Sequence, residues 1–434
     1  MKNIYGQIIA LTKNIHLIKP LKEDCGAQKF IAGKQEFPNL FSGIAVSWWY
    51  TKKTHSLVEN ISMMITKNVP EFSDCDHESI QKIIQATFKE ICIDSKLFDS
   101  THVLCTKKDT LFDCRVKIET NEYARCIFDR VQSNIRNSIS DWCVTYVAPR
   151  ITGESFSIKS ERINIIHKQD QKSWDELAKS GYLVNTFQQQ TGTFFDGGPS
   201  PFKSIEYDYL FVSFSHGTDN GSKFSSSLKL KKLFSVIYAA SNIENNRKRH
   251  KVVAKPNTYS IQFPHKSSGV RSISISTIGE LLPYYADDNV LNKNIIKKIQ
   301  QWYEAECKLE PDQKNRISKC AYFINRGMNS NDIDSYIHFF VALDALYGRK
   351  GSVKQSIING VSSLPQSNNW ISKVSWLFDL RNELVHGGSR YIKEWPKYAK
   401  YYNHFLTEPD KDVEQLAMLA LIGSPAIMNK LKGD

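Results

Sequence analysis

Residues 370–388, WISKVSWLFDLRNELVHGG, decide how the last third of this chain is read. Ile371, Val374, Leu377 and Leu384 recur at helical spacing and form one apolar stripe. The stretch reads as an amphipathic helix. The following pair, Gly387 and Gly388, reads as its C-terminal stop, because glycine adopts the left-handed backbone that closes helices. Arg381, Asn382 and His386 stand within it. Asn382 and His386 are one turn apart and share a face, while Arg381 borders the apolar stripe, from where its guanidinium can reach back beside the imidazole.

The helical period persists outward from this segment. Residues 294–309, 314–328 and 332–348 each read as helices before it, and residues 395–405 and 412–422 supply one or two more after it. No strand signal interrupts them, so 291–434 is expected to be an all-helical bundle. Residues 1–290 differ. Short runs at 4–11, 15–21, 41–50 and 111–120 read as strands, and 77–95 and 121–139 as helices. Strands return at 142–149, 155–167 and 208–217, with a helical turn at 173–181. The expected class is α+β, a mixed α/β region followed by an all-α bundle. A sub-boundary falls near 145–200, where the loop 191–201, TGTFFDGGPSP, breaks the pattern.

At 434 residues the chain is too long for one ordinary core. Its 57 Lys and Arg exceed 45 Asp and Glu, a net charge of +12, which favours a polyanionic partner through counterion release. The same surplus also serves simple solubility. Nine cysteines lack any CxxC pair or zinc-finger spacing, as expected of reduced thiols in the cytoplasm. The N-terminus has no secretory pattern, and the longest apolar stretch, 416–428, is broken by Gly423, Ser424 and Pro425, so no membrane association is expected. There is no GxxxxGK[ST], HExxH or GxGxxG, and Ser213, Ser215 and His216 do not form GxSxG. Neither cofactor nor metal is expected.

Arg381, Asn382 and His386 suit chemistry on a phosphodiester. A histidine exchanges protons near neutral pH, an arginine fork stabilises charge developing on phosphate, and an asparagine amide orients either. The bland alternative is a histidine placed on a helix dipole and an arginine stem packed along an apolar edge. Beyond the motif, Arg390, Tyr391 and Lys393 begin a run that interleaves cations with aromatic rings, a pattern suited to RNA and equally to a helix core. Arg247, Lys248, Arg249 and Lys251 form the densest basic patch, a solvated run or a surface for RNA or a phage-derived trigger.

RNELVHGG at 381–388 resembles the RNxxxH signature of HEPN domains, small helical bundles frequent in prokaryotic toxin and defence systems. The helix IHFFVALDALYG at 337–348 is similar to the companion helix of the Apea-like, anti-phage-associated branch, and Asp344 falls where that branch usually has Glu. Asp344 is thus a supporting residue or a structural acid. The resemblance covers about the last third of the chain. It implies a homodimeric, metal-independent endoribonuclease with Arg381, Asn382 and His386 catalytic. Attack by the ribose 2′-OH would leave 2′,3′-cyclic phosphate and 5′-OH ends on cellular RNA, tRNA or mRNA. It also implies abortive infection as the setting. A toxic RNase needs restraint, and the large module joined to it is a reasonable place for that, so residues 1–290 are expected to sense or regulate. Two alternatives stand beside it: a non-catalytic RNA-binding or dimerisation bundle, and the toxin of a toxin–antitoxin pair.

Overall fold

A computed structural model describes residues 2–21, 24–32, 44–148, 150–182, 193–194, 198–199, 209–245, 259–268, 273–277, 285, 287–364 and 367–430. The chain is α+β. It forms two compact units, residues 1–142 with 215–224, and residues 143–214 with 225–434. The expected junction near 290 falls inside the second unit. Among the described residues no helix is long and apolar enough to cross a membrane.

The smaller unit packs four longer helices, Lys2–Thr12, Lys52–Asn68, His77–Ile91 and Thr120–Ser138, with a three-stranded antiparallel sheet. Ile44–Thr51 is central in that sheet, between Ile15–His16 and Cys25–Ala32. Residues 4–11, expected as strand, are helix. Ile4, Ile8 and Leu11 lie on one buried face, and that face outweighs the chance alternation that suggested a strand. Residues 111–120 are not a strand either. Thr110 and Asp113 form a capping box over a 3₁₀ turn at Leu111–Cys114, which buries Leu111 and Cys114. The helices expected near 77–95 and 121–139 are present.

The larger unit holds most of a six-stranded sheet in the order Ser274–Thr277, Tyr259–Pro264, Ser140–Ala148, Tyr209–Gly217, Ile163–His167 and Phe156–Ile158. Helix Asp219–Asn245 brings Leu233, Phe234 and Ile237 into the same hydrophobic cluster as Val144, Ile165 and Phe211 of the sheet. That cluster continues without a break through Ile299, Leu343, Leu377, Leu380 and Leu416 of the helices that follow. The all-helical segment begins at Lys293–Glu306 and runs through Pro311–Asn329, Asp332–Tyr347, Val353–Ser362, Ser367–Val385, Tyr398–Phe405 and Pro409–Lys430. Pro311–Asn329 and Asp332–Tyr347 approach closely, because a side chain at Gly327 would press on the Phe339 ring.

One charged cluster lies inside this core. Lys232 Nζ is 2.5 Å from Glu161 Oε1 and 2.9 Å from Glu306 Oε1, and it lies 5.2 Å from the Tyr303 ring centroid. Burial pulls the lysine's pKa down, but Glu161 and Glu306 more than offset it, and the net shift is upward. The ammonium is therefore charged at neutral pH. Its stabilising effect is fully present below the lysine's ordinary range and is lost only as pH rises through the higher folded value. Lys232→Ala leaves two carboxylates facing each other with little water, and should lower unfolding free energy by about 3–5 kcal/mol. Chemical denaturation at pH 7 checks this, and a change below about 1 kcal/mol would show the cluster is solvated.

Candidate active site

The motif helix, Ser367–Val385, forms as its sequence suggests: Trp370, Val374, Leu377, Leu380 and Leu384 are buried and the remaining face is open. His386 is its last hydrogen-bonded residue, donating its backbone N–H to the Asn382 carbonyl at 3.0 Å. The chain then turns in a Schellman motif. The Gly388 N–H reaches the Glu383 carbonyl at 2.9 Å, the Gly387 N–H reaches that of Leu384 at 3.3 Å, and Gly387 has φ +74°. The expected glycine stop is present, and its consequence is positional. It holds His386 at the helix end with its side chain exposed.

Arg381 and Asn382 are half-buried beside it. Arg381 Nη1 donates to Asn382 Oδ1 at 3.1 Å. The guanidinium thus reaches the asparagine rather than the imidazole, and with its acceptor oxygen occupied the asparagine keeps its amide N–H groups to offer. No side-chain hydrogen bond of His386 occurs among the described residues, so both ring nitrogens are open to a ligand. Asn382 and His386 line a cleft of about 380 Å³ with Asp379, Glu383, Trp395 and Lys397. Asp379 is neutralised by Lys397, whose Nζ lies 3.0 Å from its carboxylate. The Glu383 carboxylate rests against Gly388, where a Cβ would collide with it.

Asp379 and Glu383 were missed at the sequence level, although the signal was there. Asp379, Asn382, Glu383 and His386 repeat at i, i+3, i+4 and i+7 and form one polar stripe opposite the apolar one. Lys397 and Trp395 arrive from the following loop and had no such signal. Asp344 is half-buried, and no hydrogen bond or ion pair joins it to Arg381, Asn382 or His386 in this chain. Its carboxylate lies against Gly348 at the end of helix Asp332–Tyr347.

Arg390, Tyr391 and Lys393 do not join the motif. They line a separate, larger cleft of about 670 Å³. The Arg390 guanidinium is taken by Glu394, with Nη2 2.6 Å from its carboxylate, and this hydrogen bond lowers the Glu394 pKa. Further along the same run Trp395 and Tyr401 are core residues, edge-on to Trp376 at ring distances of 6.3 and 6.1 Å. Tyr391 and Tyr402 stay exposed. Arg247, Lys248, Arg249 and Lys251 lie outside the described residues, as does most of the 191–201 loop. Among the described residues no group of three or more His, Cys, Asp or Glu could hold a metal ion.

Comparisons with protein-family models, with curated proteins and with solved structures find no match to this chain. The case for function therefore rests on the site itself.

Gly387→Ala places a Cβ on left-handed backbone and should destabilise the chain by about 1–2 kcal/mol, shifting the His386 ring. Denaturation coupled to the imidazole NMR signals of His386 checks both, and an unmoved His386 signal would separate the cap from the site.

Proposed function

We propose that this chain is a HEPN-type, metal-independent endoribonuclease with Arg381, Asn382 and His386 as its cutting residues. The observation that carries the reading is the gathering of these three groups at one open helix end. The imidazole has no hydrogen-bond partner among the described residues, and the arginine and asparagine are held against each other beside it. In this reading His386 takes the proton from the ribose 2′-OH or returns one to the leaving 5′-oxygen. The attacking oxygen forms a bond to phosphorus as the P–O5′ bond breaks, giving 2′,3′-cyclic phosphate and 5′-OH. Arg381 and the Asn382 amide meet the phosphate oxygens, where donors stabilise the charge that builds up in the transition state.

One motif offers one proton-transfer group, and a second copy facing the open cleft would supply the other, so the reading includes a homodimer. The net charge of +12 supports a polyanionic substrate such as tRNA or mRNA. The biological setting we infer is cytoplasmic anti-phage defence by abortive infection, with the chain before the helical bundle restraining the site until a phage-derived trigger arrives. Truncation at residue 290 would cut the core that links Val144 and Phe234 to Leu380, so restraint is best tested in the whole chain.

Restraint lowers the active fraction without removing it, so purified protein in EDTA should show a basal cleavage of RNA that leaves cyclic phosphate ends, and His386→Ala should slow it by about 100-fold or more. Equal cutting by both proteins would remove His386 from the mechanism. Expression in infected and uninfected cells tests the restraint: wild type should be toxic only on infection, and His386→Ala harmless in both. Toxicity without infection would reject the gating.

A further inference from the structure

The larger cleft is built from the start of helix Asp332–Tyr347, the 3₁₀ turn Ile392–Glu394 that follows the motif, and the start of helix Pro409–Lys430. Its cations are mostly spent within the chain. Arg390 is bound by Glu394, and Lys411 lies 3.8 Å from both Asp410 and Glu414. Four carboxylates, Asp332, Glu408, Asp410 and Glu414, share the lining, and together they oppose a phosphate.

Other groups remain open. Asn331 stands at a helix N-cap, a position where asparagine normally bonds the first turn, yet its side chain makes no capping bond. Asp332 is exposed, and no hydrogen bond or ion pair of its carboxylate occurs among the described residues. Tyr391 offers a ring that is 47% exposed, and Lys393 an ammonium without a carboxylate partner among the described residues. A flat ring to stack on, a carboxylate, an amide and one free cation in a cleft of about 670 Å³ fit a planar, uncharged heterocycle that presents N–H donors. Among the nucleobases guanine alone places two adjacent N–H donors, N1–H and N2–H, where one carboxylate accepts both. Its O6 and N7 are acceptors for an amide or an ammonium.

We propose that this cleft receives a guanine base of the RNA substrate, with Tyr391 stacking on the base and Asp332 accepting from its N1–H and N2–H edge. The proposal rests on the ribonuclease reading above and gives its substrate a sequence preference. The cleft and the cutting motif are joined by the short segment from Gly387 to Tyr391, so a guanine held here would select RNA at a guanine near the cut. Tyr391, expected from sequence to contact RNA, keeps that role, while Arg390 is assigned to Glu394 instead of to phosphate.

The test is binding of the four nucleosides to the full-length protein, followed by NMR or by intrinsic fluorescence. Nucleosides carry no phosphate, so the carboxylates do not obscure the result. Guanosine should bind about tenfold or more tighter than adenosine, cytidine and uridine, the discrimination expected of a paired base contact. Asp332→Asn should erase that preference, and Tyr391→Ala should weaken all binding by about tenfold. Both residues are exposed, and asparagine tolerates the φ of +47° at position 332, so the fold is expected to survive. Equal binding of all four nucleosides, or a guanosine preference unchanged in Asp332→Asn, overturns the proposal. So does preferential binding of arginine amide, which would mark the cleft as a site for basic peptide. Binding does not require cutting. A chain that prefers guanosine but leaves RNA intact in EDTA would defeat the ribonuclease reading alone, and one that cuts RNA without the preference would defeat this proposal alone.

Discussion

The hydrogen bond from the Tyr336 hydroxyl to the Leu377 carbonyl, 2.6 Å long and fully buried, sets the position of the motif helix. A tyrosine inside a core usually places its hydroxyl on an acceptor, since an unpaired one carries a desolvation penalty of about 1–3 kcal/mol. Burial also raises the Tyr336 pKa well above its usual value, so the group remains a neutral donor. The acceptor belongs to the turn just before Arg381, and in an α-helix that carbonyl also serves the Arg381 N–H. The bond therefore fixes the axial register of helix Asp332–Tyr347 against helix Ser367–Val385. The Phe340 and Phe378 rings, 5.8 Å apart, hold the same contact laterally.

From that anchor the rest of the helix end follows. Leu380 and Leu384 commit one side to the core, and the Schellman turn at Gly387 and Gly388 ends the helix within one residue of His386. What is left facing outward is a short polar stripe. Below it a second buried network ties the neighbouring helices together. Lys373 Nζ lies 2.8 Å from Asp412 Oδ1, and Asp412 also accepts from the Tyr401 hydroxyl at 2.7 Å. Lys373 and Asp412 are thereby committed to structure. The side chains at the stripe that are free to act are those the core does not claim.

Charge follows the same logic. The chain is strongly basic, but around the motif most cations are already matched: Lys397 by Asp379, Arg390 by Glu394 and Lys411 by Asp410 and Glu414. Net charge therefore does not locate a nucleic-acid contact. Among the described residues Lys393 at the larger cleft has no carboxylate partner and His386 at the smaller one has no side-chain hydrogen bond, while Arg381 and Asn382 bond to each other.

The sequence by itself determined the motif helix, its glycine stop, the all-helical segment from Lys293 onward and the α+β class, because each rests on local periodicity or on a backbone preference carried by single residues. It misread residues 4–11, where apolar residues satisfy both a two-residue and a helical period and only burial in a core selects between them. Helix Lys52–Asn68 carries its local signal in the Thr51 and Thr54 capping box and in the spacing of Leu57, Ile61 and Ile65. Residues 232–241 of helix Asp219–Asn245 are all buried, and a stretch buried on every side has no stripe to read. Tertiary structure alone decided that the sheet and the helical bundle share one core, since long-range packing has no local signature. It also decided that Arg390 pairs with Glu394 and that Lys397 pairs with Asp379 at the motif cleft, because loop side chains take their partners from whatever the folded surface brings near.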